Sequence, residues 1–120
     1  MITYIDDLFL TDKAKKNIER IKKSVTKESL LSRACLICLS LSPKDVFDII
    51  PVYDLRLSKY KDKNIYVLGV AENKNAAIDL CAVMAASYIQ IDGCEIDEQV
   101  GNNNMRSYFE RFIKEWAFYY

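Results

Sequence analysis

Histidine is absent from these 120 residues, and glycine (3) and proline (2) are scarce. The missing imidazole removes Ser-His and Cys-His nucleophile pairs, and with them the commonest general base near neutral pH. Catalysis would fall to carboxylates, lysine, tyrosine or a bound cofactor. So little glycine and proline leaves no long flexible linker, and the chain reads as a single α/β domain over 1–120. Excess charge of one sign is missing too. The 17 Lys+Arg balance 17 Asp+Glu, which argues against a surface built wholly for nucleic acid or acidic lipid. No apolar run reaches the roughly 18 residues of a membrane helix; the nearest, 78–91, is broken by Asp79. The start, Met1 to Asp7, is acidic where a secretory signal is basic, so the expected location is the cytoplasm. The four cysteines are then expected as reduced thiols rather than a disulfide framework.

What is present is periodic. Leu10, Ala14, Ile18, Ile21 and Val25 recur at helical spacing, with Thr11 as N-cap and Asp12 in the first turn, predicting a helix over 11–27. Leu8 to Leu10 reads as a short strand or a hydrophobic lead-in. The run 33–41, ended by Ser42-Pro43, suits a strand covered on both faces or a buried helix; the strand is preferred here. Ile65 to Ala71, after the polar turn 61–64, is a strand. Between them, 44–60 is expected to be a crossover helix opening at Pro43 and kinked at Pro51, giving a βαβ unit. A helix over 74–91 buries Ala77, Leu80, Cys81, Met84, Tyr88 and Ile91, capped by Asn73 or Asn75 and stopped at Gly93. A further strand is expected from the amino terminus or from 94–98, followed by a loop at 101–104 and an aromatic helix over 105–120. The predicted fold class is α/β, a small, mostly parallel sheet of two to four strands with helices packed on it.

Each chemical candidate has a structural alternative. Cys35 and Cys38 form a CxxC, but in a strand such positions face opposite ways, so buried, inert thiols are expected and no metal. Asp92, Glu95, Asp97 and Glu98 lack calcium-loop spacing and read as a solvated acidic loop. The first helix is basic, with Lys15, Lys16, Arg20 and Lys23 the candidate nucleic-acid contacts, although no aromatic interleaving supports them. Ser40, Ser42, Asn73 and Lys74 would meet at the carboxyl ends of neighbouring parallel strands, where α/β sheets bind ligands. At the end of the chain Trp116, Phe118, Tyr119 and Tyr120 cannot share one helix face, which marks an association surface or a fold-back over the sheet. Membrane docking is not favoured, since Arg111 and Lys114 are the only basic residues flanking the aromatics. The expected function is a non-enzymatic interaction or regulatory protein, a homodimer or partner of another protein, with no cofactor. Small-ligand or nucleotide binding in the crevice is the alternative, and nucleic-acid binding through the basic helix the second.

Overall fold

The structure is a computed structural model that describes residues 1–42, 44–92 and 105–110, with 89–92 described in backbone only. Its centre is a four-stranded mixed sheet. In chain order the elements are β1 (Ile2–Leu10), α1 (Asp12–Lys16), α2 (Ile18–Thr26), β2 (Cys35–Leu39), β3 (Phe47–Pro51), a 3₁₀ turn (Val52–Asp54), β4 (Ile65–Ala71) and α3 (Lys74–Asp92); residues 105–110 are helical. The spatial order is β1-β4-β2-β3. Only β1 and β4 run parallel; β2 is antiparallel to both β4 and β3.

The two runs read as strands from the sequence, 33–41 and 65–71, are strands and are neighbours. Their direction and their link differ from expectation. The sheet is mixed, not mostly parallel, and 44–60 supplies an edge strand and a turn in place of a crossover helix. The reason is local. Ile49 and Ile50 are β-branched, and Pro51 holds the residue before it extended, so the helix is penalised in its interior. The short 40–46 turn then lets Phe47–Pro51 pair at once with β2, Leu36 against Ile50 and Cys38 against Asp48. Pro43 lies outside the described residues, as do Gly93, the acidic 93–98 stretch and the proposed strand there.

Helices cover both faces. α1 and α2 bury Ala14, Ile21 and Val25 against Leu36, Cys38, Ile50, Val67 and Val70. On the other face α3 packs Ala77, Leu80, Met84 and Tyr88 on Cys35, Ile37, Leu68 and Ala71, and Phe109 from the 105–110 segment is fully buried among them. Phe109 meets Phe47 edge to face at 4.9 Å and Tyr108 at 5.0 Å. Thr11 caps α1 as predicted, accepting from the Ala14 amide at 3.2 Å. The expected single helix over 11–27 is split at Asn17, whose side-chain amide donates to the Lys13 carbonyl at 2.9 Å.

β4 contains a switch of faces. Ile37 pairs with Gly69 but Cys38 pairs with Val67, so Leu68 is an extra residue without a partner on β2. Ile65 and Val67 therefore point to the α1/α2 side, Leu68 and Ala71 to the α3 side, and Val70 back to the first. β1 breaks register at the same level, between Tyr4 and Phe9. There a Cβ on Gly69 would stand 2.9 Å from the Phe9 carbonyl oxygen, so this position needs glycine.

Candidate functional site

The parallel pair β1 and β4 ends at Leu10 and Ala71, and the residues just beyond, Thr11 and Glu72, meet there. The Thr11 hydroxyl donates to Glu72 Oε2 at 3.3 Å, and the Thr11 amide to the Val70 carbonyl at 3.4 Å. β2 begins beside this end, because it runs the other way, and the 29–34 connection from α2 arches over it. Between that arch and α1/α2 lies a cavity of about 370 Å³ bordered by Lys13, Asn17, Arg20, Ser24, Arg33 and Glu72. An adjoining cleft of about 560 Å³ is bordered by Leu30, Tyr53, Asn73, Lys74 and Asn75. The two share Leu31, Ser32 and Arg33.

The arch is built from the end of α2. Ser29 N donates to the Ser24 carbonyl and Glu28 N to the Val25 carbonyl, both at 3.0 Å, with Glu28 at φ 50°. This is a Schellman stop in which glutamate takes the left-handed position usually given to glycine. The Ser24 hydroxyl donates to the Ile21 carbonyl at 2.6 Å and stands 3.3 Å from the Ser32 hydroxyl, which ties the arch to the helix.

Charge distinguishes this mouth. Lys13, Arg20 and Arg33 border it against the carboxylate of Glu72, and the adjoining cleft adds Lys74 to the shared Arg33 with no carboxylate among the described residues. Among the described residues none of the three cations has a carboxylate within 4 Å. A third cavity, of about 540 Å³ at the amino end of β1, sets Glu28 and Asp62 against Lys61, Lys63 and the Met1 ammonium, a smaller excess.

The four residues expected in one crevice do not share one. β2 and β4 are antiparallel, so Ser40 and Ser42 lie at one end of the sheet, Asn73 and Lys74 at the other. Ser40 belongs to the β2–β3 turn, where its hydroxyl bonds Asp48 Oδ1 at 3.1 Å and accepts from the Ser42 amide at 3.1 Å. The same turn is clasped by Arg106, one of whose guanidinium nitrogens donates to the carbonyls of Ser40, Ser42 and Asp45 at 3.0, 3.2 and 2.8 Å. Asn73 caps α3, its Oδ1 accepting from the Ala76 amide at 2.8 Å, and borders the cleft with Lys74. Of the basic residues, Lys15, Lys16, Arg20 and Lys23 are all exposed, but the break at Asn17 puts the first two on a separate short helix, and only Arg20 reaches the mouth. Trp116, Phe118, Tyr119 and Tyr120 lie outside the described residues.

Cys35 and Cys38 belong to opposite cores, the geometry expected of a strand. Burial raises the pKa of both; the Lys74 ammonium lowers that of Cys35 and the Asp54 carboxylate raises it, while Asp48 raises that of Cys38. Burial also pushes Cys81 up to about 11. All three thiols are therefore protonated at neutral pH and weak nucleophiles. Arg33, Ser32 and Glu72 went unnoticed in the sequence because each borders the mouth from a loop whose path depends on strand direction. Among the described residues no group of three His, Cys, Asp or Glu is placed to hold a metal ion, and no helix is long and apolar enough to cross a membrane. Comparison with protein-family models, with curated proteins and with solved structures returned no match.

Proposed function

We propose that the protein binds a small anionic ligand at the carboxyl end of the β1–β4 pair. The observation that carries this reading is the group of three cations, without ion-pair partners among the described residues, bordering one cavity of about 370 Å³, a volume within the roughly 300–1,000 Å³ range of small-molecule sites. The location supports it too, since α/β sheets take ligands beyond the carboxyl ends of parallel strands. The test is a titration of the full chain with inorganic phosphate and with sulfate, followed by calorimetry. Binding is expected, and Arg20→Ala or Arg33→Ala should weaken it about tenfold, the scale of a charge-assisted hydrogen bond. Lys23→Ala, which removes a charge outside the cavity, should leave it unchanged. Equal losses in all three variants would reduce the effect to general surface charge and end the proposal.

A second reading keeps self-association. Its support is the outward face of α3, where Ile78 and Val83 are 51% and 59% exposed and share the surface with the exposed Ala82, Ala86 and Asp79. Sedimentation equilibrium decides it: a dimer that Ile78→Asp or Val83→Asp dissociates agrees with this face. A dimer lost only on truncation after Lys114 returns the role to Trp116, Phe118, Tyr119 and Tyr120. A wild-type monomer at all concentrations rules the reading out.

A further inference from the structure

We infer that the ligand is a mononucleotide, its phosphate at the cationic mouth and its base in the adjoining cleft; this rests on the anion-binding reading above. The two cavities adjoin, with Leu31, Ser32 and Arg33 bordering both. Their chemistries differ. The first offers Lys13, Arg20 and Arg33, which suit a phosphate monoester. The second also holds cations, Lys74 and the shared Arg33, but adds Tyr53, 44% exposed in the 3₁₀ turn, together with Leu30 and the amides of Asn73 and Asn75. An exposed ring and a leucine give a flat heterocycle a surface to lie on, and amides pair with its polar edge.

The rim residue between them points the same way. Leu31 is 92% exposed, an apolar side chain held in water at the junction. A ligand passing from one cavity to the other covers it. Glu72 borders the same cavity and offsets part of its positive charge, while its carboxylate can accept from a sugar hydroxyl as it does from Thr11. At about 370 and about 560 Å³ the cavities leave most of their space empty around a lone inorganic anion. A monophosphate with a ring uses both.

The experiment is calorimetric titration of the full chain with inorganic phosphate, ribose 5-phosphate, purine and pyrimidine mononucleotides, and the corresponding nucleosides. At least one mononucleotide is expected to bind roughly ten- to a hundredfold more tightly than ribose 5-phosphate, the scale of stacking one base on an aromatic ring. Tyr53→Ala should remove that advantage and leave phosphate binding as it was, while Tyr53→Phe should keep it. If ribose 5-phosphate and every mononucleotide bind alike, or Tyr53→Ala leaves the preference intact, the mononucleotide inference is overturned and the anion reading survives. Binding confined to long RNA or single-stranded DNA overturns it in favour of a polymer. Binding of none of these overturns both.

Discussion

Gly69 sits where the bulge in β4 brings β1 closest, with the Phe9 carbonyl on one side and Leu80 and Met84 of α3 on the other. A methyl group there has nowhere to go, because the nearest neighbour is backbone on a paired strand. Gly69→Ala is expected to destabilise the fold by about 1–3 kcal/mol, the usual range for overpacking a core, measured by urea unfolding. A cost within error would mean that β1 yields at this point. Glu28 gives the opposite case. It holds φ 50° at the end of α2 without hydrogen bonds to its side chain among the described residues. Glu28→Gly should therefore stabilise by about 0.5–1 kcal/mol, the steric relief outweighing the added chain entropy. A fall in the urea midpoint would show that the carboxylate contributes something the backbone geometry does not reveal.

At the scale of elements, the β2–β3 hairpin depends on a distant side chain. Arg106 donates to three turn carbonyls from one nitrogen and pairs with Glu110 through Nε at 3.0 Å. Arg106→Ala leaves those carbonyls to water and should cost about 1.5–3 kcal/mol, the scale of hydrogen bonds to a charged group. Amide exchange should rise first in residues 40–46; a uniform rise over the whole sheet would mean that Arg106 supports global stability instead. The same hairpin shows what the sequence makes legible. The helices over 11–27 and 74–91 follow from periodicity and from Thr11 and Asn73 as caps, and the strand at 65–71 from its β-formers, because those signals are local; the apolar run 33–41 fits a strand or a buried helix equally by periodicity. Strand direction is not local. Whether β2 runs with or against β4 was decided by Ile49, Ile50 and Pro51 favouring an edge strand over a crossover helix, and the group of residues beyond the strand ends changed with it. Arg33 and Glu72 could be recognised only once the ends of β1, β4 and β2 were known to meet.

At the scale of the whole molecule, alkali tests the sealing of both cores. Burial pushes Tyr4, beside Cys38 in the α1/α2 core, from 10.0 up to about 12, and Cys81 on α3 from 9.0 up to about 11; Cys35 and Cys38 are raised too. Each group holds its proton more tightly folded than unfolded, so its contribution to stability is complete below its unfolded value. It is lost as pH climbs through the folded one. Stability should be flat to about pH 9 and then decline through 11 and 12, followed by circular dichroism with tyrosinate absorbance at matched pH. Tyrosinate appearing fully at pH 10 while the fold persists would contradict the burial of Tyr4. The clasp on the hairpin also has a consequence for synthesis. A ribosome delivers Asp45 61 residues before Arg106, so the nascent turn leaves the exit tunnel unfastened, and a segment made well after it closes the clasp.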